Sequence, residues 1–135
     1  MKTIISFLIL TTLSISSYAT CDQLFSQGSI EYSFAGRTFE DGSTAYDEAV
    51  AESKKPDANM GIICEKLFLS ASGFQYAVKG FQNCANIFRS AMDVCSGTDK
   101  ITASKHKNTC LSNKDVSTEN FSYIYNEYKR NCYQE

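Results

Sequence analysis

Apolar residues along this chain recur every three or four positions, with little of the alternation that marks a strand. The clearest run opens at Phe25. Phe25, Gly28, Tyr32, Ala35, Phe39, Gly42, Tyr46 and Ala49 follow at steps of 3, 4, 3, 4, 3, 4 and 3. That is an unbroken seven-residue seam on one helix face. Bulky and small residues alternate on it: aromatic rings fill gaps, while glycine and alanine let a second helix come near. The alternation makes Phe25 to Ala35 echo in Phe39 to Ala49, fourteen positions on. A packing stripe accounts for the echo without a ligand motif.

A second seam runs through Cys64, Leu67, Ala71, Phe74, Val78, Phe81, Ala85, Phe88, Met92 and Cys95, again at alternating steps of 3 and 4. Between the seams lies Lys54-Lys55-Pro56-Asp57. Lysines suit the negative end of a helix, and proline suits the first position of the next one. Gly97 reads as the stop after the second helix. From Thr98 to Val116 the chain is polar and shows no apolar face, which predicts mainly a crossing loop. Ser117 or Thr118 then caps a third helix, with Phe121, Tyr125, Tyr128 and Cys132 on its apolar side. The expected fold is all-α: a long antiparallel helical hairpin plus a shorter C-terminal helix, in a three- to four-helix bundle.

The first residues change the compartment. Lys2 precedes an apolar stretch from Ile4 to Ile15, and Ser17-Tyr18-Ala19 closes it. This order matches a secretory signal peptide over residues 1–19, leaving residues 20–135 as a single domain. The apolar stretch is shorter than the roughly 20 residues a membrane-spanning helix needs, and no later stretch qualifies. A secreted or periplasmic location follows. The formal net charge is −2 and there is one histidine. That balance argues against nucleic acid as a partner.

Export gives the six cysteines their meaning. Cys21, Cys64, Cys84, Cys95, Cys110 and Cys132 read as three disulfides. No Cys-x-x-Cys pair and a lone histidine make a metal site a poor alternative, so neither metal nor other cofactor is expected. Geometry ranks the pairings. If the first two helices fold back about Pro56, opposed residue numbers add to about 115 and bring Cys21 to Cys95. If the third helix runs parallel to the second, Cys64–Cys110 and Cys84–Cys132 align in one register. These three are the favoured set, with a local Cys95–Cys110 link as the rival.

Candidate chemistry is thin. His106 stands between two lysines and has no cysteine thiol to activate once the disulfides form. Glu48 and Glu52, one turn apart, are the best carboxylate pair, yet exposed helices commonly carry acids in this way. No catalytic residue is assigned and an enzyme is not expected. Tyr123 and Tyr133 lie off the third helix's apolar side and suit contact with a protein partner of unknown identity. Phe74, Phe81 and Phe88 would line a pocket if the protein instead carried a small apolar ligand. Asn120-Phe121-Ser122 is an acceptor triplet for N-glycosylation in a eukaryotic source. The leading expectation is an exported, non-enzymatic module: a protein-binding, envelope-accessory or inhibitor domain.

Overall fold

A computed structural model describes residues 19–133. The proposed leader therefore lies outside the described residues, except for Ala19. Three helices make up the described chain: α1 (Cys21–Ser53), α2 (Met60–Val94) and α3 (Gly97–Cys132). They run up, down and up, and no strand occurs among the described residues. The all-α bundle is the one the seams predict.

Helix α1 begins at a capping box. The Thr20 hydroxyl accepts from the Gln23 N–H, and the Thr20 N–H donates to Gln23 Oε1 at 2.8 Å. Two of the helix's orphan donors are thereby satisfied. Its seam then sorts by size. Gly28, Ala35, Gly42 and Ala49 are buried, while the aromatic members lie to one side, half-buried or exposed. Small residues set the distance to α2. A Cβ on Gly73 would sit 2.8 Å from the Gly42 backbone, and one on Gly80 would sit 2.8 Å from Ala35 Cβ. Gly28 faces the ring of Phe88. These opposed pairs keep the register expected of a hairpin about Pro56.

The first turn differs in detail. Pro56 belongs to the turn and does not open α2. Asn59 is the cap, its Oδ1 accepting from the N–H groups of Gly61 and Ile62. An Asn side chain satisfies two early donors there, whereas proline offers none. Buried Glu52 fastens the turn, accepting from Lys55 Nζ and from the Asn59 N–H at 3.2 Å.

The polar stretch from Thr98 to Val116 is helix, not a crossing loop, so α3 is the longest of the three helices and not a short one. Its buried line is Ala103, Cys110, Ser117 and Ile124, one residue per heptad. Half-buried Lys107 and Lys114 fill places between them. Lysine stems cover apolar surface while their ammonium groups reach water. Such a stripe seats a helix without reading as apolar. In the last turns, Ile124 occupies the core and Tyr125 is exposed, stacked on Phe121.

Only Cys95 and Ser96 separate α2 from α3. Gly97 takes φ +56°, a left-handed conformation that costs glycine nothing, and reverses the chain at once. So tight a link makes α3 antiparallel to α2, and the disulfides follow that direction. Cys21–Cys95 forms as expected. The other two exchange partners: Cys64 joins Cys132 and Cys84 joins Cys110, in place of Cys64–Cys110 and Cys84–Cys132. The rival Cys95–Cys110 link is absent. A parallel third helix would need a crossing loop where the chain is helical.

Candidate functional site: a groove between the first and third helices

Helix α2 packs closely on both neighbours, whereas α1 and α3 barely approach each other. The gap between them is a groove built from three rows, each repeating every seven residues. Leu67, Phe74, Phe81 and Phe88 of α2 form the floor. The aromatic members of the α1 seam form one wall. His106, Asn113, Asn120 and Glu127 of α3 form the other.

Two bridges cross the groove. Asn113 Nδ2 donates to the Tyr32 hydroxyl at 3.2 Å, and the hydroxyls of Tyr46 and Tyr123 meet at 3.5 Å. Four clefts lie along it. The first, about 420 Å³, is lined by Phe88, Tyr32 and His106. The next, about 330 Å³, lies over Phe81 between Phe39 and Val116. Phe74, Tyr46, Asp47 and Tyr123 line a third of about 260 Å³. The last, about 170 Å³, lies between Tyr46, Leu67 and Glu127.

The candidate residues fall into place around this feature. Phe74, Phe81 and Phe88 are almost fully buried, at 3%, 4% and 3% exposure. Each meets an α1 ring edge to face: Phe39, Tyr32 and Phe25 respectively. The two helix seams meet there, and any ligand reaching these rings passes the α1 aromatics first. Tyr123 is exposed and stands on the groove wall. Tyr133 is more exposed still, but lies past the end of α3, edge-on to Tyr128 and beside Cys132. The two tyrosines therefore do not form one patch. All six cysteines are spent on disulfides.

His106 sits on a helix and leans on Phe88, ring centroids 5.0 Å apart. Together with Asn113 and Val116 it is a wall residue that the loop reading hid. The signal that could have found this wall is the seven-residue repeat of Ala103, Cys110, Ser117 and Ile124. Asn120, the glycosylation candidate, is half-buried there.

Electrostatically the groove is acidic. Glu40, Asp47 and Glu127 line it, and no lysine or arginine does. Glu127 is also bonded by Arg130 and Asn131. Tyr46 is pushed up to about 12, chiefly by its hydrogen bond to Tyr123 and then by burial. The paired acids Glu48 and Glu52 serve elsewhere. Glu48 binds Lys66 at 2.6 Å and raises that lysine's pKa. Glu52 is held below the usual carboxylate range, first by Lys55 and then by the Asn59 N–H. Among the described residues no three His, Cys, Asp or Glu side chains cluster as metal ligands would, and no helix is long and apolar enough to cross a membrane. Compared with known proteins, the chain matches no family model, no curated protein and no solved structure.

Proposed function

We propose that this protein is an exported, non-enzymatic recognition module that holds a segment of another protein in the groove between α1 and α3. One observation carries the reading: the two outer helices stand apart over an aromatic row, leaving a line of four clefts with polar walls, crossed by two side-chain bridges. Tyr32, Phe39 and Val116 supply apolar area above the buried row of Leu67, Phe74, Phe81 and Phe88, and asparagines and tyrosines on the rims supply hydrogen bonds. That division is what peptide-binding grooves use. Tyrosine walls bury area at little cost in side-chain entropy. Export is supported by the leader-like N-terminus and by three disulfides, which form and persist mainly in oxidising surroundings.

Photo-crosslinking side chains placed at Ser43 and Val116, in the groove, and at Tyr76 and Asn83, on the outer side of α2, test the assignment in the native exported fraction. Protein adducts from the groove positions and not from the outer ones are expected. Adducts from Tyr76 and Asn83 alone would overturn it. So would a bound apolar small molecule, seen by native mass spectrometry, that blocks the groove adducts; that result would instead favour a carrier role for Phe74, Phe81 and Phe88.

A further inference from the structure

The charge of the groove limits what enters it. From Glu40 onward its rims carry Glu40, Asp47 and Glu127, and its lining holds no basic side chain. Glu40 and Asp47 have no ion-pair partner among the described residues, while Glu127 is partly satisfied by exposed Arg130. Between the acids stand the phenol rings of Tyr46 and Tyr123, whose π-faces attract cations. From Ser29 to Ser53 the groove follows α1 over 24 residue steps, about 36 Å at 1.5 Å per residue.

We infer that the occupant is a basic, amphipathic peptide segment: its apolar side against Tyr32, Phe39 and Val116, its lysine or arginine groups beside Asp47 and Glu40. This rests on the groove reading of the previous section. Complementary rim charge selects partners and speeds encounter more than it tightens binding, so the sign of the partner's charge is what the groove decides.

Three labelled amphipathic peptides, each about 24 residues to match the groove at helical rise, provide the probe: leucine–lysine, leucine–glutamine and leucine–glutamate. Fluorescence anisotropy reads binding to the full disulfide-linked protein. The lysine peptide is expected to bind, weakening as salt rises, and the glutamate peptide not to. Three screened rim charges together account for a factor of about ten in affinity. The E40Q/D47N/E127Q variant should therefore bind the lysine peptide about tenfold more weakly. The E65Q/D93N/E119Q variant makes the same charge change outside the groove and should stay within about twofold of wild type. Val116→Arg, which fills the cleft beside Asn113, should abolish binding.

Equal weakening by both triple variants would overturn the inference, because net charge alone would then be acting. Equal binding of the glutamine and lysine peptides, both blocked by Val116→Arg, would overturn the basic preference and keep the groove. Lysine-peptide binding untouched by Val116→Arg would overturn the groove itself.

Discussion

Helix α2 meets its two neighbours by different means. Against α1 it uses glycine and alanine, so that backbones touch, as at Gly42 and Gly73. Against α3 it has a thinner apolar stripe, with Ser117 and the stems of Lys107 and Lys114 in or beside it, and two of the three disulfides. The first contact holds through close packing, which a sequence can specify at every turn. The second is held by covalent links at two levels, with less asked of the residues between. The turns follow suit. Glu52 and Asn59 lock the α1–α2 turn with side-chain hydrogen bonds, while Ser96 makes none at the start of α3.

Removing the two staples on α3 should have the largest effect. In the chain-entropy account, loops closed over 68 and 26 residues are worth about 4 and about 3.5 kcal/mol. Their contributions overlap, since one loop lies within the other. The C64S/C132S/C84A/C110A variant should lose amide-exchange protection along α3 first, with α1 and α2 still protected. Simultaneous loss in all three helices would dissolve the contrast. Next comes Gly73→Ala, which forces a methyl into the Gly42 backbone and should cost about 1–3 kcal/mol in chemical denaturation. Gly36 has nothing within 4 Å of an added Cβ. There alanine should instead stabilise, by up to about 1 kcal/mol through helix propensity. Equal effects at the two glycines would show that close approach does not fix the α1–α2 distance.

The same contrast explains what the sequence revealed. The α1–α2 contact is written in rings and glycines at regular steps, so the two seams, together with the turn at Lys54-Lys55-Pro56-Asp57, give the hairpin, its register and Cys21–Cys95. The α3 contact is written in Ala103, Lys107, Cys110, Lys114 and Ser117, which carry the same seven-residue repeat in small or charged residues. A search for apolar periodicity passes over it. Losing that helix reversed its direction and exchanged the partners of Cys64 and Cys84. It also hid most of one wall of the groove, since His106, Asn113 and Val116 line it only if residues 98–116 are helical. The floor was visible as Phe74, Phe81 and Phe88, but not that α1 and α3 would stand apart above it.

A smaller effect should appear in acid. The Glu52 carboxyl is held low by Lys55 and the Asn59 N–H, so its folded pKa lies below its unfolded value of about 4.3. The stability it contributes is present above that value and is lost as pH falls through the folded pKa. Glu52→Gln keeps an acceptor but cannot titrate. Denaturation midpoints of wild type and variant should therefore converge as pH drops from neutral to below the carboxylate range. A constant gap across that range would mean that the charge of Glu52 does nothing for the α1–α2 turn.

The smallest change concerns the third face, where α1 and α3 touch only through long side chains. Tyr46, pushed up to about 12, should ionise roughly two pH units after an ordinary tyrosine near 10. Its hydrogen bond to Tyr123 is the leading cause, so Tyr123→Phe should bring the Tyr46 titration back toward the ordinary value, read by NMR of ring-labelled tyrosine. The sign is fixed: a raised phenol pKa favours the folded state below pH 10, and that favour is lost as pH climbs through the folded value. Overall stability should move little, because the bridge is exposed to solvent. A Tyr46 that titrates normally in the wild type would mean that the bridge does not persist in solution. The α1–α3 gap would then be open along its length, and the difference between the two flanks of α2 would be greater than the three-helix packing suggests.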